Sequence, residues 1–422
     1  MLTDLDFGLD DGPIRAMTYS HDGFGLGHLR RTSSIARRLA QDAPGSSVIM
    51  LVGCSVGAFF ELPPGIDFIK IPSILKADNG VYPPLGLRIT AKEVKRLRAS
   101  AMHTAVQVFR PHLFLVDHVP TGVRGELLPT LRMLRERGDQ PVVALGMRDI
   151  LDDPQTVRKL WRREKTYKAI GDYYDEVLVY GCREMFDAAA EYGLKAELGK
   201  RIKYCGYVCS EEPHLSKEEM REHLQVRKDK LIVVTAGGGY DAFPMMQACM
   251  EALRLLGKNL PFEIIFITGP LMRCGDREWL RKHAERAEVR VLSHVHGKAS
   301  YINAADLVIT MAGYNSLAEI VSLKKKALVI PRRGPRAEQI MRARIFAERG
   351  LVDALYPSEL IPKAVAARIM ADLERTDYPR FDGTVNLSGG RQAASRLIEL
   401  TRSRALSLEP VKKPAVSPVV RV

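Results

Sequence analysis

The chain has 422 residues, 46% hydrophobic and 27% charged, a composition that sets aside disordered, collagen-like and low-complexity classes for most of its length. At roughly 150 residues per domain, two to three domains are expected. Lys and Arg number 63 against 50 Asp and Glu, a net charge of +13. The surplus is mainly C-terminal, with 29 basic and 25 acidic residues in 1–205 and 34 and 25 in 206–422. Such a balance invites polyanions without specifying them.

The opening Met1–Gly12 is acidic and lacks a basic region followed by an apolar stretch, so no secretory signal is expected. The longest uncharged window, 43–60, is broken by Pro44, Gly45 and serines and fails as a spanning helix. A soluble chain, at most touching a membrane surface, is expected, with its six cysteines reduced. No C-x-x-C pair or zinc-like spacing occurs, so no metal cage is expected.

Apolar, mostly β-branched runs recur at Ile14–Ser20, Val48–Val52, Leu113–Val116, Val142–Leu145, Val177–Tyr180, Leu231–Thr235, Ile264–Thr268, Leu307–Thr310 and Ala327–Ile330. Such runs, each leaving into a polar loop and then a helical pattern, read as strands of parallel sheets buried on both faces. Ile89–Phe109, Met245–Leu256 and Ile340–Arg349 have helical apolar spacing and read as crossover helices. The pattern lapses between Tyr204 and Glu218 and then restarts. An α/β chain of two Rossmann-like domains is predicted: 14–205, a linker 206–217, 218–389, a terminal helix 390–406 and a flexible tail 407–422.

The first strand leads into His21-Asp22-Gly23-Phe24-Gly25-Leu26-Gly27-His28 and then a helix. Strand, glycine loop and helix make an anion site, and Gly23, Gly25 and Gly27 allow close backbone approach; a tight βα turn is the plain alternative. His28 adds a base that titrates near neutrality. Gly237-Gly238-Gly239 repeats the arrangement after the first strand of the second half. Ala312-Gly313-Tyr314-Asn315-Ser316-Leu317-Ala318-Glu319 again joins strand to helix. Glu319, one turn in, suits a ribose diol, or it completes a capping box with Ser316. Lys324–Arg344 carries eight basic residues against Glu338 alone, and its loop containing Arg332, Arg333 and Arg336 is either a solvated face or a diphosphate clamp.

At Ala312–Glu319, joined to Pro331-Arg332-Arg333-Gly334-Pro335-Arg336-Ala337-Glu338-Gln339, the sequence resembles the nucleotide-sugar half of GT-B glycosyltransferases. It looks similar to the lipid-linked peptidoglycan N-acetylglucosaminyltransferase group and to the predicted glycosyltransferases related to it. Gly237–Gly239, Thr268-Gly269-Pro270 and the glycine–His loop extend the match over roughly residues 14–400. Two departures stand out: Phe24 and Leu26 alternate with glycine, and Tyr314-Asn315 replaces smaller residues.

The resemblance implies a two-domain GT-B fold whose C-terminal helix returns to the N-terminal domain. It implies transfer of a hexose or N-acetylhexosamine from a nucleotide-diphosphate sugar, usually UDP-linked, to an acceptor hydroxyl, inverting and with neither metal nor cofactor. The donor site would comprise Gly238, Gly239, Gly313, Asn315, Ser316, Glu319, Arg333, Arg336, Glu338 and Gln339. Of these, Gly313–Ser316 would take the diphosphate, Glu319 the ribose, and Glu338-Gln339 the sugar. The loop of Gly23, Gly25 and Gly27, with Arg148, would face the acceptor and leaving group, although Arg148 equally suits an internal pair with Asp149. His28 is the expected base and Asp117, at a strand end, the reserve. A lipid-linked or polysaccharide acceptor, peripheral contact at the inner membrane face and a cytoplasmic location follow. Two other readings stand beside it: a nucleotide-sugar 2-epimerase of the same fold, and a polyanion binder suggested by Lys92, Lys95, Arg96 and Arg98 on one helix. No recognised nucleic-acid module is present, so no nucleic-acid partner is expected.

Overall fold

The β-branched runs become strands because both faces of each are covered by helices, which leaves no polar side to alternate with. The computed structural model describes residues 12–408 apart from 21–26, 55–61, 76–81, 195–197, 286–288, 382 and 384. The first sheet contains β1 (Arg15–Ser20), β2 (Ser47–Val52), β3 (Ile66–Lys70), β4 (Leu113–Asp117), β5 (Val142–Arg148), β6 (Glu176–Tyr180) and β7 (Ile202–Tyr204) in the order β3-β2-β1-β4-β5-β6-β7. The second contains β8 (Lys230–Thr235), β9 (Phe262–Ile267), β10 (Arg290–Leu292), β11 (Leu307–Thr310), β12 (Ala327–Val329) and β13 (Asp353–Ala354) in the order β10-β9-β8-β11-β12-β13. Every strand pairing is parallel. Two Rossmann-like lobes result, as the sequence implied.

In each lobe the strand order reverses once, between β1 and β4 and between β8 and β11. A crevice opens outside the carboxyl ends of the strands at such a reversal. The chain therefore delivers Gly27–His28 and Asp117 to one crevice, and Gly237–Gly239 and Gly313 to the other.

The terminal helix, Gly389–Leu408, returns to the N-terminal lobe and packs on the Gly27–Asp42 helix. Arg396 Nη2 meets Glu176 at 2.7 Å, and Arg404 Nη2 meets Asp175 at 3.0 Å. The two passages between the lobes are tied together, since Tyr207 N donates to Asn386 O at 2.7 Å and Gly389 N to Tyr207 O at 3.0 Å.

One surface expectation is corrected. On the helix Ala91–Phe109, Lys92, Lys95 and Arg96 are exposed, but Arg98 is fully buried and bidentate to Glu126, with both contacts at 2.7 Å. A charge on the inner face of a helix needs a counter-ion, and Glu126 supplies it. Arg98 thus belongs to the core.

Candidate functional site

Of the glycine–His loop, Gly23 and Gly25 lie outside the described residues, while Gly27 opens the helix Gly27–Asp42. This places His28 in the first helical turn. Asp117, the last residue of β4 and fully buried, lies in register with Ser20 of β1. His28 Nδ1 and Asp117 Oδ2 are hydrogen-bonded. The sequence offered these two side chains as alternative bases; the structure makes them one pair. An Asp accepting the Nδ1 proton makes Nε2 the basic nitrogen of the ring and fixes the ring's orientation.

Arg31, one turn beyond His28 and buried, brings Nη2 to 3.2 Å from Asp117 Oδ2 and 2.8 Å from His28 Nδ1. With the Nδ1 proton directed at Asp117, the ring offers Arg31 no lone pair, so the carboxylate is its acceptor. His118 closes the other side, its ring centroid 5.1 Å from that of His28. It stands at φ +72°, where a non-glycine backbone is strained, held by donation of its N–H to Gly146 O at 2.7 Å.

The donor-side turns face this pair. Gly239 stands at φ +90°, and a Cβ there would lie 1.9 Å from Thr268 O, so its glycine is demanded by turn-on-turn packing. Gly237 differs: a Cβ there would meet nothing within 4 Å, and its backbone opens on a cavity of about 260 Å³. Gly27, Gly238, Gly313, Asn315, Ser316, Arg148, Glu338 and Gln339 line the same cavity.

The helix Tyr314–Ser322 begins at Gly313 with no side-chain cap. No Ser316–Glu319 capping box forms, so the first amides of the helix remain available to an anion. Asn315 Nδ2 instead donates to Gly27 O at 3.2 Å, joining the start of one site helix to the other.

Glu319 is buried between two cations. Lys298 Nζ lies 2.7 Å from Oε2 and Arg30 Nη1, from the opposite lobe, 3.3 Å from Oε1. Burial pushes the Lys298 ammonium below its usual range, and Glu319 opposes that fall. Glu319 also lines a second cavity of about 410 Å³, shared with Arg30, Arg31, Arg37, Arg38 and Lys298. The carboxylate is thus at the cleft, though already paired.

Glu338 and Gln339 stand at the start of the helix Glu338–Glu348. Arg332 Nη2 is 2.9 Å and Arg148 Nη2 3.1 Å from Glu338. Burial would raise this carboxyl, but Arg148, Arg342, Arg332 and Arg336 outweigh it and hold it below the usual range. Arg148 therefore reaches across the cleft to Glu338. From the basic loop it is Arg332 that lines the cavity, also bonded to Asp241 at 2.7 Å, whereas Arg333 is exposed and neither it nor Arg336 forms the wall.

Sequence reasoning missed Lys298, Arg30 and Arg31. Arg31 carried a usable signal, three residues after His28 on a helix and hence on the same face. Lys298 carried none. Among the described residues no group of three or more His, Cys, Asp or Glu side chains gathers as metal ligands.

Residues 231–381 match the glycosyltransferase family 28 C-terminal domain. That match covers the greater part of the C-terminal lobe. Among curated proteins, the UDP-N-acetylglucosamine–N-acetylmuramyl-(pentapeptide) pyrophosphoryl-undecaprenol N-acetylglucosamine transferase of Rubrobacter xylanophilus is 26% identical over 207 residues, 49% of this chain and 56% of that protein. Its namesake from Bacillus cytotoxicus is 26% identical over 166 residues, 39% of this chain and 43% of that protein. The chain thus spans about half the length of the curated relatives it matches.

Among solved structures, MurG of Acinetobacter baumannii aligns over 93% of this chain and all of its own, with a TM-score of 0.55 and 16% identity. A UDP-glucosyltransferase of Polygonum tinctorium aligns over 94% and 99%, with a TM-score of 0.61 and 15% identity. The two-lobed fold is GT-B. All of the donor-side residues discussed above, from Gly237 to Gln339, fall inside the family 28 domain, while His28, Arg31 and Asp117 lie outside it.

Proposed function

We propose that the chain transfers a hexose or N-acetylhexosamine from a nucleoside-diphosphate sugar, UDP-linked, to an acceptor hydroxyl, with inversion at the anomeric carbon and without a metal. The observation that carries this reading is the juxtaposition of the His28–Asp117 pair with the uncapped start of the Tyr314–Ser322 helix, joined by the Asn315–Gly27 bond.

The transfer asks for two things at once. The acceptor hydroxyl must lose a proton as the anomeric carbon becomes oxocarbenium-like, and the nucleoside diphosphate must leave as an anion. His28 Nε2 takes the proton while Asp117 stabilises the resulting imidazolium. The amides at Gly313–Ser316, with the cleft-facing Arg332, meet the developing diphosphate charge. Gly237 and Gly238 admit the pyrophosphate close to the backbone. Glu319 takes the ribose hydroxyls, exchanging Arg30 for them, and Gln339 and Glu338 take the sugar hydroxyls. Single displacement by a hydroxyl held on the His28 side implies inversion.

The curated relatives are named as acting on a pyrophosphoryl-undecaprenol acceptor. A lipid-linked acceptor suits this chain too, because Leu85, Leu87, Ile89 and Leu97 are exposed beside Lys92, Lys95 and Arg96. Among the described residues no helix is long and apolar enough to cross a membrane, so contact at its cytoplasmic face would be peripheral.

The test is product analysis by NMR. UDP-N-acetylglucosamine is incubated with the full chain, with and without a lipid extract containing polyprenyl-pyrophosphate-linked sugars, whose hydroxyls can accept. Acceptor-dependent UDP release with formation of a new glycoside supports the proposal. Conversion of UDP-N-acetylglucosamine alone to its 2-epimer would overturn it in favour of epimerisation. Binding of duplex DNA without any nucleotide-sugar turnover would overturn it in favour of a polyanion binder.

A further inference from the structure

A buried polar cluster joins the lobes behind the site, and the transfer chemistry leaves it unexplained. At its centre is Tyr314, the first residue of the donor helix and the position where the sequence departs from the smaller residue of the family motif. Its side chain is buried, and its hydroxyl accepts the Val208 N–H at 2.8 Å. Burial pushes this phenol well above its usual range, so it stays neutral.

Two guanidinium groups lie over the Tyr314 ring, Arg31 at 5.2 Å and Arg342 at 5.9 Å from its centroid. Both are within the reach of a cation–π contact, which strengthens when water is excluded. Arg342 is fully buried and spans the lobes, donating to Ala312 O at 2.9 Å and to Ile150 O at 3.0 Å. Arg31 has its far end on Asp117 and beside His28 Nδ1. A continuous chain of contacts therefore runs from Ile150 through Arg342, Tyr314 and Arg31 to the base pair.

The placement of Arg31 has consequences because it sits beside an imidazole that must gain and lose a proton. Held as found, its charge sustains the Asp117 carboxylate and opposes the imidazolium. Allowed to swing away, it does neither. A flat aromatic face behind the guanidinium adds to the hold that Asp117 has on this long side chain.

We propose that Tyr314 is a positioning residue that holds Arg31 against Asp117 and so sets the His28–Asp117 pair in step with the donor helix. The contact chain stands on geometry; its catalytic meaning rests on the function proposed above. Among the described residues, the groups facing His28 include Asp117 and His118 from the end of β4, Arg31 from its own helix, and Tyr180 of β6 behind Asp117 and Arg31.

The test uses the full chain and its Tyr314→Leu and Tyr314→Phe variants. The His28 ring is followed by nitrogen NMR across pH, assigned with His28→Gln, and UDP binding is measured by calorimetry. In Tyr314→Leu the His28 midpoint should move by about half a pH unit or more. Tyr314→Phe, which keeps the ring, should titrate as the unaltered protein does. An unmoved His28 midpoint in a folded Tyr314→Leu overturns the proposal. Should that variant fail to fold, Arg31→Met decides: a comparable shift is expected, and an unmoved midpoint overturns it equally. Failure of the unaltered protein to bind UDP would count against the donor reading alone, since the His28 shift is read without nucleotide.

Discussion

Glu319→Gln removes the counter-ion of a buried lysine while keeping the shape of the side chain. Lys298 and Glu319 are each 8% exposed at the side chain, with their charged atoms 2.7 Å apart. Leaving one partner of a buried pair charged and alone costs about 3–5 kcal/mol. Lys298 can avoid that cost by losing its proton. From an unfolded value near 10.4, the loss costs about 4–5 kcal/mol at pH 7 and about 2 kcal/mol at pH 9.

Burial already depresses the Lys298 ammonium, and the substitution depresses it further. The unfolded chain then binds the extra proton, so stability rises with pH across the window from 7 towards 10. The expected outcome is a loss of about 3–4 kcal/mol at pH 7, shrinking to about 2 kcal/mol or less at pH 9, as denaturant unfolding would read it. The double variant Glu319→Gln/Lys298→Met should recover most of the loss, because the orphan charge is gone. A loss at pH 7 below about 1 kcal/mol, or one independent of pH, would refute the buried ion pair.

His28→Ala should leave UDP binding within about threefold while transfer falls by roughly 10²–10⁴-fold, measured as product formed per minute. Asp117→Asn should fall comparably, because the amide no longer holds the productive tautomer; equal activity would mean that the pair is not the base. Gly239→Ala should destabilise the C-terminal lobe by more than about 2 kcal/mol by thermal or chemical unfolding, since it combines φ +90° with a Cβ placed 1.9 Å from Thr268 O. Burial, together with nearby Asp353, raises the Asp372 carboxyl to about 7. The folded chain thus holds this proton more tightly than the unfolded one, and stability falls as pH rises from about 4 to 7. Asp372→Asn should therefore gain about 1–2 kcal/mol at pH 8, a figure discounted for the lost Arg375 contact, and little at pH 4.

The interior strands were legible because burial on both faces writes one continuous apolar run. The edges were not: β3 reads Ile-Asp-Phe-Ile-Lys, and β7, β10 and β13 are only two or three residues long. Each has a neighbour on one side alone and mixes polar with apolar residues. The same limit governed the site. Gly237–Gly239, Gly313 and His28 announced themselves because backbone freedom and a titratable ring at a strand end have few other uses. Lys298 and Arg30 look like any surface cation until the fold sets both beside Glu319, Lys298 from the same lobe and Arg30 from the opposite one, and the spacing that puts Arg31 on the face of His28 does not announce Asp117. Arg98 erred in the opposite direction, since helical spacing alone does not say which cation turns inward.

A nucleotide-sugar thermal-shift panel on the full chain bears most directly on the account, because a ligand held by the folded cleft stabilises it by mass action, about 2.7 kcal/mol at a hundred times its dissociation constant. UDP and UDP-N-acetylglucosamine are expected to raise the melting temperature of the unaltered protein by several degrees, with uridine alone doing much less. If no nucleotide sugar shifts the transition at millimolar concentration while polyphosphate or DNA does, the cleft is an anion surface and not a donor site.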